Sequence, residues 1–348
     1  MKITIKDVAA SAGVSITAVS LALNNKPGVS ELTRQEILKT AAQLGYNIPK
    51  RMHLRNHEQS IVRVLKILRH GHTINSSHNN FIDAYVDGIN TMARQKQITL
   101  EIETYGIEVP IRTIAQKMVQ NRSLNDYLIL GTELSEEDIR ILLQTGKHVV
   151  FMDTFFDYIP ADFVVMNNTD SVYDALLHLY ERGHRDIGLI RSSIPTHNFK
   201  LREIAFHQVA NDLGLTVRPE CIIDVDSTFA GAHDDVTAYL DTSPHLPTGF
   251  FATNDIIALG CMKAFMEHNI SIPDDVSLVA FDNLPMSSMT FPALTTIDVS
   301  KDRIGQNALK MLIERSSHKN APPAKVMVGG KLIVRNSVRD IRSSQAPT

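Results

Sequence analysis

The chain has 348 residues, 43% of them apolar and 21% charged, with a formal net charge of −3. This is the balance of an ordinary globular protein of about two or three domains, and it argues against a chain that coats nucleic acid over its whole surface, though not against a local basic module. With only Cys221 and Cys261, and no apolar run near the roughly 18 residues of a membrane helix, no disulfide framework, metal, cofactor or membrane is expected.

The first residues, Met1 to Asp7, carry no apolar stretch of the kind a secretory signal needs, so a cytoplasmic location is the expectation. Before residue 60 the cations are Lys2, Lys6, Lys26, Arg34, Lys39, Lys50, Arg51 and Arg55, against Asp7, Glu31, Glu36 and Glu58. The head is therefore basic and the remainder acidic. Residues 4–45 read as three short helices. Thr4 caps the first, with Asp7 in its first turn and Val8, Ala9 and Ala12 facing inward. Gly13 permits a tight turn, and Ser15 caps a second helix over 16–23, with Val19 and Leu23 inward. The spacing Ala9, Gly13, Val19 is what a helix-turn-helix needs: a small residue for close approach, a glycine for the turn and an apolar residue to lock the pair. Asn24 to Gly28 breaks the chain, Ser30 caps a third helix running to Leu44, and Gly45 ends it. Composition alone also fits a plain three-helix bundle; the spacing, the basic bias and the position in the chain favour DNA binding.

Residues 46–60, polar and basic, read as a linker. From Ile61 short β-branched runs (61–67, 98–103, 127–130, 148–152, 162–166, 186–190, 248–252 and 276–281) alternate with helical patterns at 79–96, 135–145, 169–183, 200–213, 255–269 and 301–316. Such alternation predicts parallel sheets flanked by helices, and the number of strands predicts two α/β lobes. The fold class expected is thus α/β: an all-α helix-turn-helix head followed by a two-lobed body with parallel sheets.

The string TIKDVAASAGVSITAVSLALNNKPGVSELTRQEILKTAAQLGY resembles the head of lac-repressor-like (LacI/GalR) regulators almost position by position. The resemblance continues through Asn79-Asn80-Phe81 to Gly88-Ile89, Gly183-His184-Arg185, Ala252-Thr253-Asn254-Asp255, Ile272 to Ser277, Phe281-Asp282-Asn283 and Leu294 to Ile297, and so covers essentially the whole chain. It implies a body like that of periplasmic sugar-binding proteins, closing on a ligand between its lobes. Residues 1–45 are then the DNA-binding domain, 46–60 the hinge, and 61–340 the effector-binding and dimerisation domain. One lobe takes about 61–165 plus 294–325 and the other about 166–293 plus 326–340, with crossings near 165–168, 284–294 and 318–326; 341–348 form a tail. The tail from 337 onward shows no leucine heptads that would build a tetramer.

At the DNA, the residues singled out are Thr4, Ser15, Ile16, Thr17, Ser20, Leu21, Asn24 and Leu54. The second helix of such a module enters the major groove. Thr17 and Ser20 can reach base edges or phosphates, and Ile16 and Leu21 can make apolar contacts such as with a thymine methyl. Many members of the family carry a base-reading Arg or His where this chain has Leu21. The hinge, Ile48-Pro49-Lys50-Arg51-Met52-His53-Leu54-Arg55, departs from the family pattern apparently by one residue, so the leucine that wedges into the minor groove corresponds to Leu54 or, as its rival, Met52.

For the effector, ligands of open α/β sheets sit at the carboxyl ends of strands. Asp153, Arg191, Asn254, Asp255 and Asp282 each follow a predicted strand. Arg202, on the following helix, matches the arginine by which the family holds its effector; Asn198 matches a nearby polar position, and Phe81 can stack on a ring. Taken singly, Asp153 and Asp282 equally read as turn or cap residues, and Asp255 as the cap of the helix after it. No phosphate-binding loop or nucleophile elbow appears, Cys221 reads as a loop residue beside Pro219, and the pairs Asp234-Asp235 and Asp274-Asp275 read as turns or helix starts, so no enzyme is expected. The expectation is a homodimeric repressor of carbohydrate-utilisation genes that binds a double-stranded operator under control of a small molecule. A sugar is favoured for that effector; a nucleoside, nucleobase or phosphorylated metabolite, or a solute-binding protein in place of a regulator, are the alternatives.

Overall fold

The computed structural model of the chain describes residues 3–23, 28–46, 60–70, 76–194, 196–318 and 320–342, with residues 76–80 described in the backbone only. Asn24, Met52, Leu54 and the linker around them lie outside the described residues. Two compact units emerge, residues 1–59 and 60–348.

The first unit holds three helices, α1 (Ile5–Ser11), α2 (Ile16–Leu23) and α3 (Glu31–Gln43). Thr4 opens α1 by a reciprocal cap with Asp7, its backbone N–H donating to the Asp7 carboxylate at 2.7 Å. Gly13 has φ +66°, the left-handed conformation that lets the chain turn 107° between α1 and α2. Ser15 Oγ accepts the Ala18 N–H at 3.0 Å and Ser30 Oγ accepts that of Thr33 at 3.1 Å, so both later helices are capped by serine. The core is small: Val8, Ala9, Val19, Ala22, Leu23, Ile37 and Ala41. Arg34, counted by charge among the basic residues of the head, is buried and donates to the carbonyls of Leu21 and Ala22 at 3.4 and 3.2 Å. It tethers α3 to the C-terminal end of α2, where a cation is favourable, and does not stand on the surface.

The second unit has two lobes. In the first, β1 (Ile61–Ile67), α4 (Ser76–Lys96), β2 (Thr99–Tyr105), α5 (Ile111–Gln120), β3 (Asp126–Leu130), α6 (Glu136–Leu143), β4 (His148–Met152) and β5 (Asp162–Met166) follow one another. The second contains α7 (Asn168–Glu181), β6 (Asp186–Ser192), α8 (His197–Asp212), β7 (Thr216–Val225), α9 (Phe229–Asp241), β8 (Gly249–Ala252), α10 (Asp255–Glu267), β9 (Ser277–Asp282), a 3-10 turn (Pro285–Ser288) and β10 (Thr295–Asp298). The chain then returns for α11 (Lys301–Ser317) and β11 (Lys325–Val328), and crosses once more to β12 (Lys331–Ile333). The sheet orders are β11-β5-β4-β3-β1-β2 and β12-β10-β9-β8-β6-β7, parallel throughout except for β12. The central strands β5, β8 and β9 are buried along their whole length, as strands covered on both faces must be.

Helix α11 belongs to the first lobe because it lies against α4 at backbone distance. A Cβ at Gly88 would meet the Asp302 carbonyl oxygen at 2.1 Å, and one at Gly305 the Tyr85 carbonyl oxygen at 2.2 Å, so only glycine permits the approach. Arg315 holds the other end of α11 to β5 through Asp162, at 2.6 and 2.9 Å.

The structure corrects the sequence reading in several places. β10 pairs with β9 in the second lobe, so the second crossing falls between β10 and α11 rather than near 284–294, and the third lies between β11 and β12 rather than near 318–326. Residues 295–298, assigned to the first lobe, thus belong to the second, and 326–328, assigned to the second, belong to the first. Cys221 is not in a loop: it is buried within β7, an edge strand that tolerates Pro219 and shifts register against β6. Asp234 and Asp235 lie inside α9 and not at a turn.

Candidate functional site: a cleft between the lobes and an exposed helix face

The carboxyl ends of β3, β4, β5, β8 and β9 face a cleft lined by Phe81, Ile82, Thr132, Asp153, Met166, Thr196, Asn198, Phe199, Arg202, Asn254 and Asp282, drawn from both lobes. Six of the eight residues chosen from the sequence for an effector are thus brought together. Two are not. Arg191 is engaged by Asp224, on β7, at 2.7 Å and by Glu203 on α8. Asp255 points the other way: its carboxylate accepts from Thr296 Oγ1 at 2.5 Å, Ser287 Oγ at 2.5 Å and the Leu284 N–H at 2.7 Å, pinning the turn between β9 and β10. The cap of α10 is Asn254, whose side chain accepts the Ile257 N–H at 2.9 Å, and not Asp255.

A continuous hydrogen-bonded chain crosses the cleft. Arg202 Nε donates to Asn168 Oδ1 (3.0 Å), Asn168 Nδ2 to Asn198 Oδ1 (3.0 Å), and Asn198 Nδ2 to the Asp153 carboxylate (3.0 Å) and carbonyl (2.8 Å). Asp153 further accepts from Tyr85 at 2.7 Å and Thr132 at 2.5 Å. Asn198 stands on α8 of the second lobe and Asp153 after β4 of the first, so this chain joins the lobes. A second tie is Lys301, at the start of α11, whose ammonium donates to the Asp282 carbonyl at 2.6 Å and lies 5.0 Å from the Phe81 ring centre. At the edge of the cleft His197 packs on Phe156 with ring centres 4.5 Å apart. The free volume at the centre is about 30 Å³, room for one or two waters, so a ring-sized ligand enters only if the lobes part.

Arg202 is buried. Its remaining nitrogens donate to the Thr253 carbonyl (2.6 Å) and the Met166 sulfur (2.9 Å), its guanidinium lies 3.7 Å from the Phe281 ring centre, and Nη2 is 3.4 Å from Asp282 Oδ1. Asp153 and Asp282 both hold positive φ, 61° and 114°, which turns the chain sharply at each strand end and aims the carboxylates into the cleft. Burial pushes the Asp282 carboxyl up to about 7, against the pull of Arg202, and pushes Asp255 up to about 6. Asp153 is raised for the same reason. An acid raised in the folded chain keeps its proton where the unfolded chain, with carboxyls near about 4, has lost it, so stability falls as pH rises through this range. The melting temperature of the body is therefore expected to be higher at about pH 5 than at about pH 8, and Asp282→Asn should flatten that dependence. An unchanged slope in Asp282→Asn, followed by circular dichroism, would remove Asp282 as its source.

Thr132, Thr196, Lys301 and the bridging Asn168 were missed from sequence. Thr132 follows β3, and the same strand-end rule applied there would have found it. Asn168 stands two residues after β5, where the same rule applies, whereas Lys301 opens α11 after a short strand that the sequence reading did not include. In the head, Thr17 is exposed on the first turn of α2 beside the exposed Ile16, Ser20 and Leu21 are half-buried on the same helix, and Ser15 and Thr4 serve as caps. Two further features complete the surface and interior. Met266 and Phe291 are exposed beside a groove on the second lobe lined also by Leu259, Met262 and Ile272, and Met289 is exposed two residues before Phe291. The Cys221 thiol is raised by burial, the opposite of an activated nucleophile. No group of three or more metal-ligating side chains exists among the described residues, and no single helix there is long and apolar enough to cross a membrane.

Residues 4–48 match the family model for bacterial regulatory proteins of the lacI family, and residues 176–338 that for a periplasmic binding protein-like domain. The HTH-type transcriptional repressor PurR of Vibrio campbellii (strain ATCC BAA-1116) is 28% identical over 344 residues, covering 97% of this chain and 99% of its own length. That of Escherichia coli O139:H28 (strain E24377A / ETEC) is 29% identical over 344 residues, with 97% of each chain covered. Among solved structures, the lac repressor dimer bound to operator and the anti-inducer ONPF matches with a TM-score of 0.71 at 21% identity, over 97% of this chain and 100% of that one. The transcriptional regulator CelR–cellobiose complex matches with a TM-score of 0.71 at 20% identity, over 96% and 99%. These two structural likenesses establish a shared fold.

Proposed function

The chain is a DNA-binding transcriptional repressor of the lacI family with a ligand-binding body, and from that premise we propose that a small sugar, bound in the cleft between the lobes, sets its grip on a double-stranded operator. The observation that carries this reading is the set of polar side chains that converge on the cleft from both lobes: Asp153 and Thr132 from one, Asn198, Arg202, Asn254 and Asp282 from the other. Carboxylates and amides accept from hydroxyls, and the guanidinium fork donates to hydroxyl oxygens. Phe81 offers an apolar face for a sugar ring, and Phe199 lines the same cleft.

The switch follows from the two ties across the cleft. Parting the lobes breaks Asn198–Asp153 and Lys301–Asp282. A ligand that replaces those bonds prefers one lobe arrangement, and only such a preference can move an equilibrium. Couplings of this kind are typically about 1–3 kcal/mol. The protein acts as a cytoplasmic homodimer without catalytic activity. The exposed Met266, Met289 and Phe291 supply an apolar face for the second copy, and two heads read two half-sites through Thr17, Ser20, Ile16 and Leu21.

A thermal-shift screen of the full chain against sugars, sugar phosphates, nucleosides and nucleobases tests the reading, since a ligand that binds only the folded state raises the melting temperature. A hit among neutral or amino sugars that also changes DNA affinity supports it and gives the sign of the switch. A hit confined to nucleobases or nucleosides overturns the sugar, and no hit at all overturns the small-molecule effector. Sedimentation velocity on the same preparation checks the dimer.

A further inference from the structure

Helix α2 carries two large apolar side chains that the core of the head does not use. Val19, Ala22 and Leu23 are buried in that core, and partly buried neighbours such as Val14, Val29 and Leu38 pack against it, but Ile16 and Leu21 belong to neither group. Ile16 is 47% exposed. Leu21 is half-buried beside Gly28, where a Cβ would meet its Cδ1 at 3.1 Å. Ile16 and Ser20 are four residues apart, as are Thr17 and Leu21, so the four form one face of α2, other than the one that Val19 and Ala22 bury.

The groups that could hydrogen-bond a base at two points are absent from this helix or already engaged. Bidentate readout in the major groove takes Arg or Lys for guanine and Asn or Gln for adenine. The helix, ITAVSLAL, contains none of the four. Arg34, which the fold ties to α2, is buried and donates to the Leu21 and Ala22 carbonyls. Ser15 Oγ accepts the Ala18 N–H as a cap. What α2 presents to a base is therefore the hydroxyls of Thr17 and Ser20, each with a single donor, flanked by two aliphatic side chains.

We propose that the operator half-site is read through the C5-methyl groups of thymines, one seated against Ile16 and another against Leu21. This rests on the reading of α2 as the helix that enters the major groove. The thymine methyl is the apolar mark in the major-groove pattern, and so the group that an exposed isoleucine and a leucine recognise. Five residues rise about 7.5 Å along a helix, more than two base-pair steps of roughly 3.4 Å, so the two side chains meet different base pairs.

The test removes the methyl and keeps the base pairing. Duplexes that the full chain enriches from a randomised library, with and without the ligand found by the thermal-shift screen, are resynthesised with deoxyuridine for thymidine at each conserved position. Binding is followed by fluorescence anisotropy. Each contacted methyl should be worth about fourfold in affinity, and removal from both half-sites more than about tenfold. The penalty should disappear at one position in Ile16→Ala and at another in Leu21→Ala, with circular dichroism to confirm that both variants fold. Conserved thymines that tolerate deoxyuridine overturn the methyl readout, as do half-sites without a conserved thymine, and either result leaves α2 in the groove. A penalty that persists in both variants overturns the seats at Ile16 and Leu21. A base preference unchanged in Ile16→Ala, Thr17→Ala and Leu21→Ala alike, or a library from which nothing is enriched, overturns the reading of α2 and the methyl readout together.

Discussion

Replacing Arg202 by alanine is expected to weaken ligand binding by more than about 100-fold, and so to erase the ligand-induced rise in melting temperature, because truncating one partner of a buried charged pair costs about 2–5 kcal/mol. Operator binding without ligand should persist, since the head has a core of its own. Arg202 is the terminus of the hydrogen-bonded chain through Asn168 and Asn198 to Asp153, and the cation nearest to the Asp282 carboxylate. Alanine leaves Asn168 Oδ1 and the Thr253 carbonyl without this donor and the buried carboxylate without its nearest cation. Breaking a buried pair in this way costs about 3–5 kcal/mol, which should lower the melting temperature by roughly 5–10 °C. Arg202→Lys separates the two effects: it keeps the charge, and with it part of the stability, but loses the planar fork that reaches three acceptors at once. Calorimetric titration of both variants with the ligand found by screening decides the matter; binding within about threefold of the parent in Arg202→Ala would place the ligand elsewhere.

The sequence reading reached furthest where the signals are local. The head could be read helix by helix because caps, a turn glycine and a three-residue apolar spacing lie within forty-odd positions, and α2 begins and ends at Ile16 and Leu23 as expected. Central strands such as Asp162–Met166 were legible as unbroken apolar runs. β7 was not, because an edge strand carrying Arg218, Pro219 and Glu220 has no such run, and β12 is three residues paired antiparallel at the other end of its sheet. In the cleft, the strand-end rule located Asp153, Asn254 and Asp282, but it could not tell inward from outward. Asp255 follows the same strand as Asn254 and is drawn away by hydroxyls 32 and 41 residues along the chain. Arg191 follows β6 and is claimed by carboxylates on β7 and α8. Partners that distant in sequence leave no trace in the local pattern, and they decided which polar residues remain for a ligand.

The same contrast between a small local core and a large distant one governs the second large effect. Val19→Asp is expected to abolish operator binding while leaving the body's melting transition and its ligand response unchanged. Val19 is fully buried among Val8, Ala9, Ala22, Leu23, Ile37 and Ala41, a core of seven side chains of which three are alanines. A unit of this size is stabilised by only a few kcal/mol, at roughly 0.05–0.15 kcal/mol per residue. Removing a buried valine forfeits about 1.5–3 kcal/mol, and placing a carboxylate there adds a desolvation penalty larger than what remains. The aspartate cannot escape by turning outward, because the buried face of α2 is fixed by Gly13 on one side and by Arg34 gripping the Leu21 and Ala22 carbonyls on the other. The body has its own hydrophobic clusters and should not register the change. Thr17→Ala supplies the comparison: two residues away on the same helix but exposed, it should leave the head folded and alter only the strength and base preference of binding. Fluorescence anisotropy with operator DNA, read beside a calorimetric scan, measures both. If Val19→Asp also lowers the body's transition, the two units do not fold independently; if it binds DNA normally, α2 is not the helix that reads the groove.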